Sequence, residues 1–142
     1  MKYSRILAHV QKIGHFRSVE DAEKAVHAVS AVLAARIGQE EAKKMASQLP
    51  KEIAADMYLA SGHETFGLQE FFNRVAGKLG AGPAEALHHA EVVLGVLQDA
   101  VPTEILETVF AGLDPEYRKF LNASAVLGKR EGLSLQKAAF RL

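Results

Sequence analysis

Glu85, His88 and Glu91 recur at intervals of three in PAEALHHAEVV, and Glu23 and His27 stand four apart in VEDAEKAVH. Imidazole and carboxylate ligands bind zinc, iron or manganese when three or four of them converge. Glu-x-x-His is also the spacing with which helix bundles hold paired metal ions. On a helix both spacings put the side chains on one face, so each set is a candidate for one ion. Direction argues against this. At about 100° per residue, Ala86, Val93, Val96 and Leu97 define the buried stripe of their helix, and His88 and Glu91 lie more than about 90° away from it. Glu23 and His27 point opposite to Val29 by the same count. The expectation is therefore two solvated helix faces with ordinary ion pairs, no metal and no cofactor, and metal binding stands as an alternative. His89 differs because it falls on the buried stripe. It is expected as a core histidine bonded to a backbone carbonyl, with burial lowering its pKa.

Other chemistry is poorly supplied. No G-x-S-x-G elbow, no glycine loop ending in Lys-Ser or Lys-Thr and no strand for a dinucleotide fingerprint is present, so no catalytic residue is assigned. GKLGAGP at Gly77 to Pro83 precedes a helix start that could attract an anion, but GHFRS stands at the corresponding place earlier in the chain, and loop flexibility is the simpler account. The absence of cysteine removes thiolate nucleophiles, cysteine metal sites and disulfides together. Lysine plus arginine equals aspartate plus glutamate at 17 each, which leaves no global field for a polyanion. MKYSRILAHVQKIGHF is broken by Arg5, His9, Gln11 and Lys12, so it reads as neither leader nor anchor. No run of about 18 apolar residues exists to span a bilayer. A cytoplasmic protein without a membrane partner is expected.

The C-terminal stretch ASAVLGKREGLSLQKAAFRL, Ala123 to Leu142, reads as helix, turn at Gly132-Leu133-Ser134, helix. That shape, with Lys129, Arg130, Lys137 and Arg141 making it locally basic, resembles a DNA-reading helix-turn-helix. Leu135 occupies the start of the second helix, where polar side chains would have to reach base edges. The competing reading is a terminal cap in which Leu133, Leu135, Ala138, Ala139 and Leu142 cover an open end of the core. Nucleic acid is thus the alternative partner and not the leading one.

All these residues must be positioned by helices. With 142 residues, 49% hydrophobic and 24% charged, the chain suits one globular domain. Apolar residues recur at three and four almost throughout. A first helix over Tyr3 to Ile13 carries Ile6, Leu7, Val10 and Ile13, with Gly14 as its left-handed closing residue. Ser18 caps a long second helix that ends at Gly38. A third covers Glu40 to Leu49, and Pro50 opens a fourth that turns Ile53, Met57 and Tyr58 inward. Shifting the sequence by 64 positions lays Leu49 on Leu113, Val29 on Val93, Leu33 on Leu97 and Glu40 on Glu104. Pro102 falls on Gly38, so punctuation repeats with core positions. Thr103 and Asp114 are expected as caps of the last helices of the second copy, and Pro83 as the start of its long helix. The chain is thus expected to be all-α: a four-helix unit over 3–60, a linker over 61–67, a related unit over 68–122 and a helical tail over 123–142, the units packed together. The copies do not place His and Glu at matching positions.

The long helix AEKAVHAVSAVLAARIG, then EEAKKMASQLPKEI, then the same plan again, resembles the bacterial family labelled domain of unknown function 2267. The likeness extends over Tyr3 to Leu121, is most specific at Ser47 to Ile53, and departs at GLDPEY, Gly112 to Tyr117. It implies a helical fold and a bacterial source, and no activity or site residues. The residues themselves point to a non-enzymatic helical interaction module that self-associates into a homo-oligomer.

Overall fold

The computed structural model describes residues 2–62 and 64–129. Eight α-helices are formed among these residues: α1 (Tyr3–Gly14), α2 (Val19–Ile37), α3 (Gln39–Ala46), α4 (Lys51–Ala60), α5 (Leu68–Leu79), α6 (Pro83–Ala100), α7 (Thr103–Phe110) and α8 (Pro115–Gly128). The fold is an all-α bundle. Lengths run 12, 19, 8 and 10 residues in the first four helices and 12, 18, 8 and 14 in the last four.

The two long helices are central. α2 buries Ala22, Ala25, Val26, Ala28, Val29, Val32, Leu33 and Ala34, a wider face than a surface helix needs. It packs on α1, α3, α4, α5 and α6, while α6 packs on α1, α2, α5 and α8. Both α1 and α5 therefore rest on both long helices, and the buried residues form a single cluster running from Ile6 through Leu33, Val75 and Leu97 to Leu121. One continuous core holds all eight helices, which is the reason 61–67 does not act as a free tether. Phe66 offers its carbonyl to Arg36 Nε at 2.8 Å and to the Tyr117 hydroxyl at 2.9 Å. Its ring lies under the Arg74 guanidinium, 3.8 Å from the centroid.

Local signals act mostly where expected. Ser18 Oγ accepts Asp21 N–H at 3.1 Å, Gly38 takes φ 105°, and Pro83 starts α6. Four details differ. His15, not Gly14, is the left-handed residue that closes α1, at φ 54°. Gly14 stays helical, and it is the Phe16 ring that calls for glycine there: a Cβ would come within 2.3 Å of Phe16 Cε2. Tyr58 points outward, half-exposed, while Ala54 takes the inner face of α4. Thr103 is the first residue of α7 after Pro102, and Asp114 sits at the start of α8 without a side-chain cap bond; its carboxylate lies 3.7 Å from Arg36 Nη2 instead. Finally, α8 passes residue 122 without a break and continues to Gly128.

Helices α6 and α8 cross in close contact. A Cβ on Gly95 would stand 2.2 Å from the Ser124 carbonyl oxygen, and one on Gly128 would stand 2.3 Å from the Gly95 oxygen. Backbone thus meets backbone, a contact that only glycine and small residues allow. Gln98 spans the same pair, Nε2 donating to the carbonyls of Leu94 and Leu121.

Candidate functional site

The residues picked out by their chemistry go to three places. At the start of α6, Glu85 is exposed and Glu91 half-buried, and His88 does not face empty solvent: its Nε2 donates to the Gly14 carbonyl at 3.1 Å. That carbonyl is one of the orphan acceptors at the end of α1, so His88 caps α1 from a neighbouring helix. His89, expected to make such a bond, makes none. Its ring stacks on Phe16 with centroids 4.8 Å apart, and its Nδ1 is buried without a hydrogen-bond partner. The carbonyl bond expected of His89 is made by His88, which stays exposed as the helical period predicts, because the α1 terminus, which the period of α6 cannot locate, lies beside residue 88.

Burial, and then the neighbouring His88, hold the His89 pKa below its ordinary 6.5. A base whose pKa is lowered by folding takes up its proton more readily when unfolded, so stability falls as pH drops below 6.5. His89→Leu should raise stability at neutral pH by about 1 kcal/mol, by replacing an unsatisfied buried polar atom with apolar surface. It should also flatten the decline below pH 6.5. Urea unfolding at several pH values measures both.

The second place joins α1, α2 and α4. The Tyr3 hydroxyl donates to Glu23 Oε2 at 2.5 Å and lies 2.8 Å from His27 Nε2, and His27 Nδ1 bonds Asp56 Oδ2. The Tyr3 hydroxyl thus sits between the Glu23 carboxylate and the His27 ring, whose other nitrogen meets Asp56, so three helices share one chain of polar contacts. Burial first, then the bond to Glu23, raises the Tyr3 pKa above its ordinary value. Glu23 and His27 are therefore not a solvated face; both are half-buried and committed to a tie between helices. Tyr3 and Asp56 lie 53 positions apart in the chain, and no local spacing announces their partnership. Among the described residues no three His, Asp or Glu side chains are placed to hold a metal ion. Of the basic residues in the C-terminal stretch, Lys129 ends α8; Arg130, Lys137 and Arg141, with the expected turn and second helix, lie outside the described residues.

The third place was not marked by any motif. Between α7 and the α6–α8 pair lies a groove of about 400 Å³. Leu106, Phe110, Leu121 and Ala125 give it an apolar floor. Asp99 and Glu107 stand on its α6 and α7 side, Arg118 and Lys129 on its α8 side. It exists because α7 leans on α3 and makes few contacts with α6 or α8. At the positions 64 earlier, the residues are Ala34, Ala42, Ala46 and Ala54, all buried, in place of Gln98, Leu106, Phe110 and Arg118. Methyl-sized side chains let α3 close on α2 and α4, since interaxial distance follows side-chain size. The longer residues hold α7 away. The signal was present as a row of small residues facing a row of large ones in the shifted register.

Residues 3–120 match the model of a family described as an uncharacterized conserved protein (DUF2267). The chain belongs to this family. No curated protein and no solved structure matches it. Among the described residues no helix is long and apolar enough to cross a membrane.

Proposed function

We propose that this member of the family is a non-enzymatic helical interaction module that self-associates, with the α6–α7–α8 groove as its contact surface. The observation that carries this reading is the groove itself: an apolar floor flanked by charged residues of both signs, the form in which proteins receive an amphipathic helix. The histidines and carboxylates support it from the other side, because each polar cluster is spent on holding helices together. We further infer that the chain is a duplication of one four-helix unit. The repeated order of helix lengths and the shared core positions support this, and it gives the groove an origin: one copy kept small residues at the site and the other replaced them. A bacterial, cytoplasmic setting belongs to the same proposal: the family resemblance implies the first, and a chain without cysteine is compatible with the second.

Sedimentation over a range of concentrations tests the reading. The expected result is a mass rising from one chain toward two. Leu106→Asp, at a half-buried position on the groove floor, should hold the protein as a monomer with its helical content unchanged, because a carboxylate placed against an incoming apolar face is left without a partner. A monomer at every concentration in the unsubstituted chain would refute self-association.

A further inference from the structure

A cavity of about 240 Å³ opens where the corner between α2 and α3 meets α7 and the turn after it. Its walls carry a cation, an anion and a hydroxyl, Arg36, Glu41 and Thr108, beside the aliphatic side chains of Ile37, Val109 and Leu113. The Arg36 side chain is only 9% exposed, and a guanidinium withdrawn from water needs its N–H groups paired. Nε donates to the Phe66 carbonyl at 2.8 Å, and the group sits over the Tyr117 ring. The Nη side is served less well: Asp114 Oδ2 lies 3.7 Å from Nη2, beyond hydrogen-bond reach, on a side chain that is 60% exposed. Asp114 follows Leu113, so the guanidinium stands at that end of the cavity. The Glu41 carboxylate stands elsewhere on the wall. A Cβ on Gly38 would come within 2.6 Å of Glu41 Oε1, which puts the carboxylate at the α2–α3 corner. It is half-buried, and among the described residues it has no hydrogen-bond or ion-pair partner. Thr108 Oγ1 gives its proton to the Glu104 carbonyl at 3.2 Å and keeps its oxygen as an acceptor. The helical corner does not itself require these charges, since the positions 64 later hold Ala100 and Ile105.

We infer that this cavity binds a small aliphatic amino acid as its zwitterion. The carboxylate takes the Nη donors of Arg36 that Asp114 does not reach, and the ammonium meets Glu41 and the Thr108 oxygen. The hydrocarbon part rests on Ile37, Val109 and Leu113. A simple anion would gain Arg36 and be repelled by Glu41, and a simple cation would meet the reverse, so a molecule carrying both charges is the one that both groups favour. The volume lies below the range of about 300–1,000 Å³ typical of drug-sized ligands, which limits the occupant to a small molecule. Neither the groove nor self-association enters this inference.

Titration of L-valine into the isotope-labelled full chain, followed through amide NMR signals, tests it. Saturable shifts are expected at residues 36–41 and 108–113. Isovalerate, which lacks the amine, and isobutylamine, which lacks the carboxylate, should each bind about tenfold more weakly or worse, the loss of a bond to a charged group. Glu41→Gln should weaken valine binding by about the same factor and leave the helical content unchanged. Arg36→Lys keeps the charge, gives up the paired Nη donors and should weaken it too. Arg36 also holds the Phe66 carbonyl, so Glu41→Gln carries the decision if Arg36→Lys unfolds. The inference is overturned by the absence of saturable shifts at these residues, by isovalerate or isobutylamine binding as tightly as valine, or by an unchanged affinity in Glu41→Gln.

Discussion

Replacing Gly95 by alanine should destabilise the protein by about 2–3 kcal/mol, although helix propensity alone would make it stabilising by about 1 kcal/mol. Gly95 lies within α6, where removing glycine relieves backbone entropy. The opposing effect is steric. The new Cβ would lie 2.2 Å from the Ser124 oxygen and 2.8 Å from Gly128 N, and both atoms are backbone that no rotamer change can move. α8 would have to withdraw as a unit, losing the packing of Tyr117, Leu121 and Ser124 and the bond from Gln98 to the Leu121 carbonyl. Overpacking typically costs about 1–3 kcal/mol and occasionally more, and a clash of Cβ with unyielding backbone lies at the upper end of that range, which wins over propensity. Gly77→Ala on α5 is the control. Nothing lies within 4 Å of its Cβ position, so propensity should act alone and raise stability. Thermal or urea unfolding of the two variants gives the comparison; equal signs would show that the α6–α8 crossing is not rigid.

Tyr117→Ala should cost about 3–5 kcal/mol, the loss of a large aromatic side chain from a close-packed site. Tyr117 is 2% exposed, stacks edge-on against Phe71, and carries the Arg36 guanidinium 4.9 Å above its ring. Its hydroxyl donates to the Phe66 and Gly67 carbonyls, so one residue of α8 joins α2, α5 and the connection between the halves. Tyr117→Phe separates the contributions. Both carbonyls keep another donor, Arg36 Nε for Phe66 and Phe71 N–H for Gly67, so the cost should fall to about 1 kcal/mol. Burial lifts the phenol to about 12, with Arg36 partly offsetting it. An acid whose pKa rises on folding is protonated in the native state while already ionised in the unfolded chain. The wild type should therefore lose stability from pH 10 to about 12, and Tyr117→Phe should lose less. Equal alkaline profiles would mean that the hydroxyl is not held in the core.

The period of apolar residues and the positions of Gly38, Pro50, Pro83 and Pro102 were enough to place eight helices, because a helix boundary depends on residues a few positions apart. The long helices were recognisable as central for a similar reason, since α2 is apolar on more than one face. No cysteine, nucleophile elbow or phosphate loop occurs in the sequence, so no motif in it named a chemistry. What the sequence by itself could not determine is which distant residues meet. Glu23 and His27 read as a solvent-facing pair until α1 and α4 brought Tyr3 and Asp56 onto them. The carbonyl bond expected of His89 is made by the exposed His88, because the Gly14 carbonyl that accepts it lies 74 positions away in the chain. The groove depends on how close three helices approach, which is set by the volumes of residues on all three at once. Helical period is a property of neighbours along the chain; contact, burial and the groove are decided only when the chain has closed on itself.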